Sequence, residues 1–234
     1  MTHPRHQLLS DLLDYVWYLK ESGVRELEVS NVLPPAPPPK ASTSAGEQLA
    51  AVAGQIAACR KCALCEERTN TVPGQGHPQP EILFVGEGPG NDEDRQGLAF
   101  VGEAGRLLTR MIESGMGLKR EEVFIANVVK CHPPGNRTPN PDEMEACMPY
   151  LEAQIDILRP KVIVALGATA LKGLLGKERL SITRMRGTWL SFRGIDLMPT
   201  FHPAYLLRQK SAKKDAWNDL KAVLKKLGKT PPAH

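Results

Sequence analysis

No window of this chain carries the uninterrupted apolar run of about 20 residues that a membrane span needs. Its opening, MTHPRHQ, lacks the apolar stretch of a secretory signal, so a cytoplasmic protein with no membrane partner is expected. Charge of one sign is not in excess: 30 Lys and Arg against 26 Asp and Glu leave a formal net charge of +4. Such a balance permits a polyanionic partner without requiring one, because the clustering of the cations sets the field. No internal repeat is visible, and no Gly-Lys-Ser/Thr follows a glycine turn, which excludes a Walker loop. The glycine-rich turn GEGPG (86–90) runs into Asn91, Asp92, Glu93 and Asp94. Those acids break the dinucleotide-binding spacing and would repel a pyrophosphate. Aromatic residues are only 5% of the chain, and cysteine occurs five times. In a reducing compartment that odd set, with C-x2-C spacing, argues for metal rather than disulfides.

Four of the cysteines form a split ligand pattern: Cys59 and Cys62 as C-x2-C, then Cys131 and Cys147 on either side of the loop HPPGNRTPNPDE. A pair plus two distant thiolates requires the chain to fold back on itself, so the set reads as a structural centre tying two segments together. Cys65 extends the opening to C-x2-C-x2-C without the C-x3-C-P that would complete a ferredoxin run, and is taken as a bystander.

Residues 1–25 are expected to form an amphipathic helix, with Leu8, Leu9, Leu12, Leu13, Val16, Trp17 and Leu19 largely on one face. That helix either docks loosely on its own domain or binds a protein partner. The segment 26–45, with LPPAPPPKASTSAGE, is a proline-rich spacer. A domain follows over 46–228, with a tail at 229–234. Within the domain EILFVG (81–86), VFIANVV (123–129), KVIVALG (161–167) and IDLMPTF (195–201) are short and rich in Val and Ile, as strands buried on both faces are. Helical stretches lie between them: GEAGRLLTRMIESG, PDEMEACMPYLEAQIDIL and GATALKGLLG. Alternation of this kind predicts an α/β three-layer sandwich with a central four-stranded parallel sheet flanked by helices. The middle helix is well marked, with Asn140 as N-cap, Pro141 at its first position and Asp142 and Glu143 in its first turn.

In an open parallel sheet, ligands gather outside the carboxyl ends of the strands. Three segments lie there: GEGPGNDED after the first strand, Asn127 at the end of the second, and FHPAYLLR after the fourth. The glycine turn is either a plain connection or a close approach to a ligand, with Glu87 adding a carboxylate. His202, fixed by the proline that follows it, is either structural or catalytic. Asn127 is a polar amide in an apolar strand, and burying it is costly unless backbone or a ligand pairs with it. Phe100 is either a core residue or a stacking platform.

Taken in order, GEGPGNDED, LAFVGEAGRLL, NVVKCHPPGNRTP and TFHPAYLLR, together with the cysteine set, closely resemble the family 4 (iron-sulfur) uracil-DNA glycosylases, over about Ala57 to Lys225. The resemblance implies a 4Fe-4S cluster on Cys59, Cys62, Cys131 and Cys147, zinc being the inorganic alternative. It implies a base-flipping DNA repair enzyme, acting on uracil in single- or double-stranded DNA and leaving an abasic site. Phe100 would stack on uracil, Asn127 would read its N3-H and O4 edge, and His202 would donate to O2 as negative charge grows there. Glu87 would position or deprotonate the attacking water, Gly88 would line the base pocket, and Glu93 would help exclude the thymine methyl. Leu206, Leu207 and Arg208 would supply a wedge and a DNA contact, with Lys130, Arg137, Arg184 and Arg186 along the groove. The rival classes are a catalytically silent Fe-S nucleic-acid module and a hydrolase of free modified nucleotides. Glu87 and His202 argue against the first, and the Leu-Leu-Arg triplet against the second.

Overall fold

A computed structural model describes residues 4–24, 43–177 and 179–232, with side chains from Leu13 onward. The chain divides between Ser42 and Thr43. In the first unit, helix α1 (Pro4–Glu21) leaves Leu13, Val16 and Trp17 exposed. Leu8, Leu9 and Leu12 of the expected apolar face, and residues 26–42 of the expected 26–45 spacer, lie outside the described residues or side chains; Ala45, its last residue, begins a helix instead.

The second unit opens with α2 (Ala45–Ala57), started by a capping box in which Ser44 and Glu47 satisfy each other's backbone N-H groups. There follow α3 (Leu64–Glu67), β1 (Gln75–Gly76), β2 (Ile82–Gly86), α4 (Asn91–Gln96), α5 (Glu103–Arg110) and β3 (Phe124–Asn127). The remainder is α6 (Pro141–Leu158), β4 (Val162–Leu166), α7 (Gly167–Leu175), α8 (Ile182–Met185), β5 (Leu190–Phe192), β6 (Ile195–Thr200), α9 (Pro203–Arg208) and α10 (Lys213–Lys226). The predicted helix after the glycine turn widens at Met111–Met116 into a π-turn that Gly117 ends in the left-handed region.

Among the described residues the sheet has six strands, in the order β1-β3-β2-β4-β6-β5. The expected four are its parallel centre, β3-β2-β4-β6. The correction is at the edges, where β1 pairs antiparallel with β3 and β5 with β6. Two and three residues long, these edge strands are too short to show a period of two, and the partly exposed sequences around them carry no apolar run.

Side chains alternate across each central strand, and this alternation builds the three layers. Leu83, Val85, Ala126, Ile163, Ala165 and Leu197 face α2, α6 and α7 through Val52, Ile56, Leu151, Ile155 and Leu171. Ile82, Phe84, Ile125, Val162, Val164 and Met198 face α5, the π-turn and α10 through Leu108, Ile112, Leu220, Val223 and Leu224. The lysines of α10 therefore point to solvent while its apolar row packs on the sheet. At the start of α6 the Asn140 side chain makes no capping bond; Glu143 Oε2 instead accepts from the Asn140 N-H at 2.7 Å.

Candidate active site

The carboxyl ends of β2, β3 and β6 open into one cleft of about 480 Å³, within the range of small-ligand sites. Glu87, Gly88, Glu93, Phe100, Asn127, His202 and Arg208 all line it. Parallel register brings the first two strands level there, with Gly86 opposite Asn127.

Asn127 is 1% exposed and its Oδ1 has no hydrogen-bond partner. A buried acceptor left unpaired costs about 1–3 kcal/mol, and Asn127 stands in the wall of the cleft. The Phe100 ring stands 5.7 Å from the His202 ring, tilted by 37°. Phe100 itself holds φ 53°, a conformation that costs a non-glycine residue free energy unless its surroundings fix it. Two charged groups do so. Glu93 Oε1 accepts from the N-H groups of Val101 and Gly102, both at 2.8 Å, and Arg120 donates to the carbonyls of Ala99 at 2.6 Å and Phe100 at 3.1 Å. Glu93 Oε2 also accepts from the Gly90 N-H at 3.1 Å, so this carboxylate braces the glycine turn against the Phe100 loop.

His202 is the residue before α9, and its Nδ1 accepts from the Ala204 N-H at 3.2 Å. Burial, with Arg208 adding to it, holds the imidazole down at about 4. A neutral ring with Nδ1 as acceptor carries its proton on Nε2, which makes that edge a donor. Gly167, at φ 91°, packs so closely on His202 that a side chain there would press on its Cβ.

Three residues expected to face DNA, Lys130 and Arg186 in the groove and Leu206 in the wedge, are turned inward instead. Lys130 is buried, donating to Asn127 O at 2.8 Å and Gln154 Oε1 at 2.7 Å, and desolvation lowers it to about 8. Arg186 is drawn inward by Asp219, whose carboxylate also accepts from Thr200 Oγ1 at 2.7 Å, and its guanidinium lies over the Phe201 ring. Leu206 is 1% exposed, packed with Leu107 and Phe201, because α9 turns that face to the core; Leu207 is half-buried against the same cluster. Of the triplet, Arg208 alone lines the cleft. Arg137 lines it too, held by two bonds to Glu143 at 2.8 and 2.7 Å, whereas exposed Arg184 does not. Tyr205, 40% exposed, also lines the cleft, a residue to which no motif assigned a role. Its place between His202 and Arg208 was the available signal.

Cys59, Cys62, Cys131 and Cys147 surround a second, smaller hollow, with Cys65 also on its wall. All are free thiols. The donors are uniformly soft, as iron-sulfur or zinc chemistry prefers. Cations accompany them: Arg68 donates to Cys131 Sγ at 3.0 Å and to the Cys59 carbonyl at 2.9 Å, and the Lys130 ammonium is close to Cys147. Burial raises the Cys62 and Cys131 thiols and pushes Cys147 up to about 11, so ligation would displace their protons. Among the described residues no group of three or more His, Cys, Asp or Glu side chains forms a single-ion cage. The thiols thus line a common space rather than converging on one point.

Residues 73–221 match the Uracil DNA glycosylase superfamily. A type-4 uracil-DNA glycosylase of Sulfurisphaera tokodaii is 46% identical over 192 residues, covering 79% of this chain and 87% of that protein. One of Thermotoga maritima is 50% identical over 168 residues, covering 70% and 86%. A type-5 enzyme of Thermus thermophilus is 36% identical over 118 residues, covering 44% and 53%. With the cleft at the carboxyl ends of three parallel strands and this extent of identity, the chain belongs to the uracil-DNA glycosylase superfamily and, within it, to the type-4 family.

Proposed function

We propose that this chain takes an everted deoxyuridine from DNA into the cleft and hydrolyses its N-glycosidic bond, leaving an abasic site. The observation that carries this reading is the unpaired Asn127 Oδ1, set in the same cleft as Phe100 and the His202 donor edge. Uracil offers an N3-H to that oxygen and O4 to the amide N-H. Cytosine, with an unprotonated N3 and an N4 donor, mismatches the same orientation. Phe100 stacks on the base, a contact worth roughly 1–3 kcal/mol.

When the C1'-N1 bond breaks, its electron pair leaves with uracil, and His202 Nε2-H stabilises the charge at O2. Removal of such a donor commonly costs about 2.7–4 kcal/mol of barrier. Water adds to C1' and gives up a proton, with Glu87 placed to orient it or to stabilise the cationic sugar. Arg208 supplies positive charge at the mouth for backbone phosphates of single- or double-stranded DNA, beside Arg137, whose charge is paired with Glu143. Incubation with a uracil-containing oligonucleotide followed by alkali tests the reading. Cleavage at the uracil position is expected, and an intact strand rejects it.

Cys59, Cys62, Cys131 and Cys147 would hold a 4Fe-4S cluster. Zinc is the inorganic alternative, since either metal accepts four thiolates, and absorbance near 400 nm separates the two. Ligation through these thiolates would tie the arm carrying Cys59 and Cys62, ahead of β1, to the segment after β3 that carries Cys131 and to Cys147 on α6. The exposed Leu13, Val16 and Trp17 support a protein partner for α1. Deletion of residues 1–44 is then expected to leave excision from short oligonucleotides unchanged; a large loss would reject that role.

A further inference from the structure

Lys130 follows Asn127 by three residues and is 1% exposed. Its ammonium donates to the Asn127 carbonyl at 2.8 Å and to Gln154 Oε1 at 2.7 Å, and Gln154 Nε2 donates onward to the Pro73 carbonyl at 2.7 Å. Lys130 also lines the cysteine hollow, together with Cys131 and Cys147. One residue therefore stands in the wall of the cysteine hollow and grips the backbone of Asn127.

The energetics explain why a lysine stands there. Two neutral carbonyls do not compensate a desolvated ammonium, which needs an anion nearby. Among the described residues no carboxylate pairs with it, and its neighbours in the hollow are the cysteine sulfurs, which become negative only on ligating a metal. The same ammonium grips the carbonyl of the Asn127 peptide, and the Gln154 amide fixes its direction. Asn127 ends β3, so its side-chain angle depends on how the following segment is held.

We propose that Lys130 is a positioning residue linking the four-cysteine site to Asn127, so that the metal-bearing segment sets the angle at which the Asn127 amide meets the base. The inference rests on the glycosylase reading and extends it. Base selection becomes sensitive to a centre that touches neither the base nor the sugar.

The test is Lys130→Met, which keeps the aliphatic volume and removes the donors. Single-turnover excision of uracil is expected to fall roughly tenfold. Affinity for the same oligonucleotide, the thermal midpoint and iron per chain should stay at the wild-type level. In an Asn127→Ala background the second substitution should lower the rate no further, as for residues acting through one another. A wild-type rate, or losses that multiply independently, overturns the proposal. Should Lys130→Met fail to fold or to hold iron, Gln154→Met is read instead, since it frees only the lateral partner of the ammonium. A loss of several-fold that vanishes in the Asn127→Ala background supports the link, and an unchanged rate overturns it. A wild-type chain that leaves uracil-DNA intact rejects the glycosylase reading itself, and that result is in hand before any variant is made.

Discussion

Gly86 on β2 is the register partner of Asn127 on β3, and the space a Gly86 side chain would occupy is filled by the Asn127 amide oxygen and the Phe100 ring. The Asn127 amide and the Phe100 ring are thus both seated on one missing Cβ. Glycine is required here for close approach; it does not lie in the left-handed region.

Gly86→Ala should therefore displace Asn127 and Phe100 together. Uracil excision is expected to fall at least about a hundredfold, and stability by about 1–3 kcal/mol, the usual effect of overfilling a packed site. Single-turnover kinetics and denaturant unfolding measure the two. An alanine variant with unchanged kinetics would show that these side chains do not set the rate.

His202 gives a pH prediction with a definite sign. Its folded value, about 4, lies below its ordinary 6.5, so between those limits the unfolded chain binds more protons. Stability must then rise with pH across that window and fall as acid is added, by on the order of 3 kcal/mol. His202→Asn should flatten this limb of an unfolding-against-pH curve. Because the wild-type ring stays neutral above pH 6, excision between pH 6 and 8 should carry no histidine titration.

Glu87→Gln separates two roles for the carboxylate. If Glu87 must take the proton of the attacking water, the single-turnover rate should drop by a hundredfold or more, in the range of general-base catalysis. A drop of under tenfold assigns it to orientation and electrostatics.

The Arg186–Asp219 pair is buried on the Asp219 side and braces Thr200, two residues before His202. Arg186→Met leaves a carboxylate stranded, and a loss of about 3–5 kcal/mol is expected. Pairing it with Asp219→Leu should recover much of that loss, because the uncompensated charge is then gone. Denaturant titration of the single and double variants checks the non-additivity.

The cysteines are distinguishable by iron content. Single alanine variants at Cys59, Cys62, Cys131 and Cys147 should each lose iron and the absorbance near 400 nm, whereas Cys65→Ala should keep both. Iron lost from Cys65→Ala but kept in Cys62→Ala would reassign the ligand set.

The layered α/β plan was legible because its cues are local. Val- and Ile-rich runs mark β2, β3, β4 and β6, and the proline and acids at 141–143 mark the start of α6. The order of strands and turns also put Glu87, Asn127 and His202 at carboxyl ends, where a parallel sheet collects its ligands. The edge strands β1 and β5 carried no such pattern. Nor did Arg120, whose grip on the Ala99 and Phe100 carbonyls spans about 20 residues of chain.

By itself, then, the sequence determined the alternation of elements, the cysteine spacing and the short list of polar residues near one sheet end, all properties of neighbouring positions. The tertiary structure alone decided which of those residues are free to act. Arg186 is taken out of the groove by Asp219, 33 residues away, and Lys130 is turned inward by Gln154, 24 residues away. Asn127 Oδ1 is left without a partner in the cleft. Whether a charge or an amide is satisfied depends on partners distant in the chain, and only the packed fold brings them together.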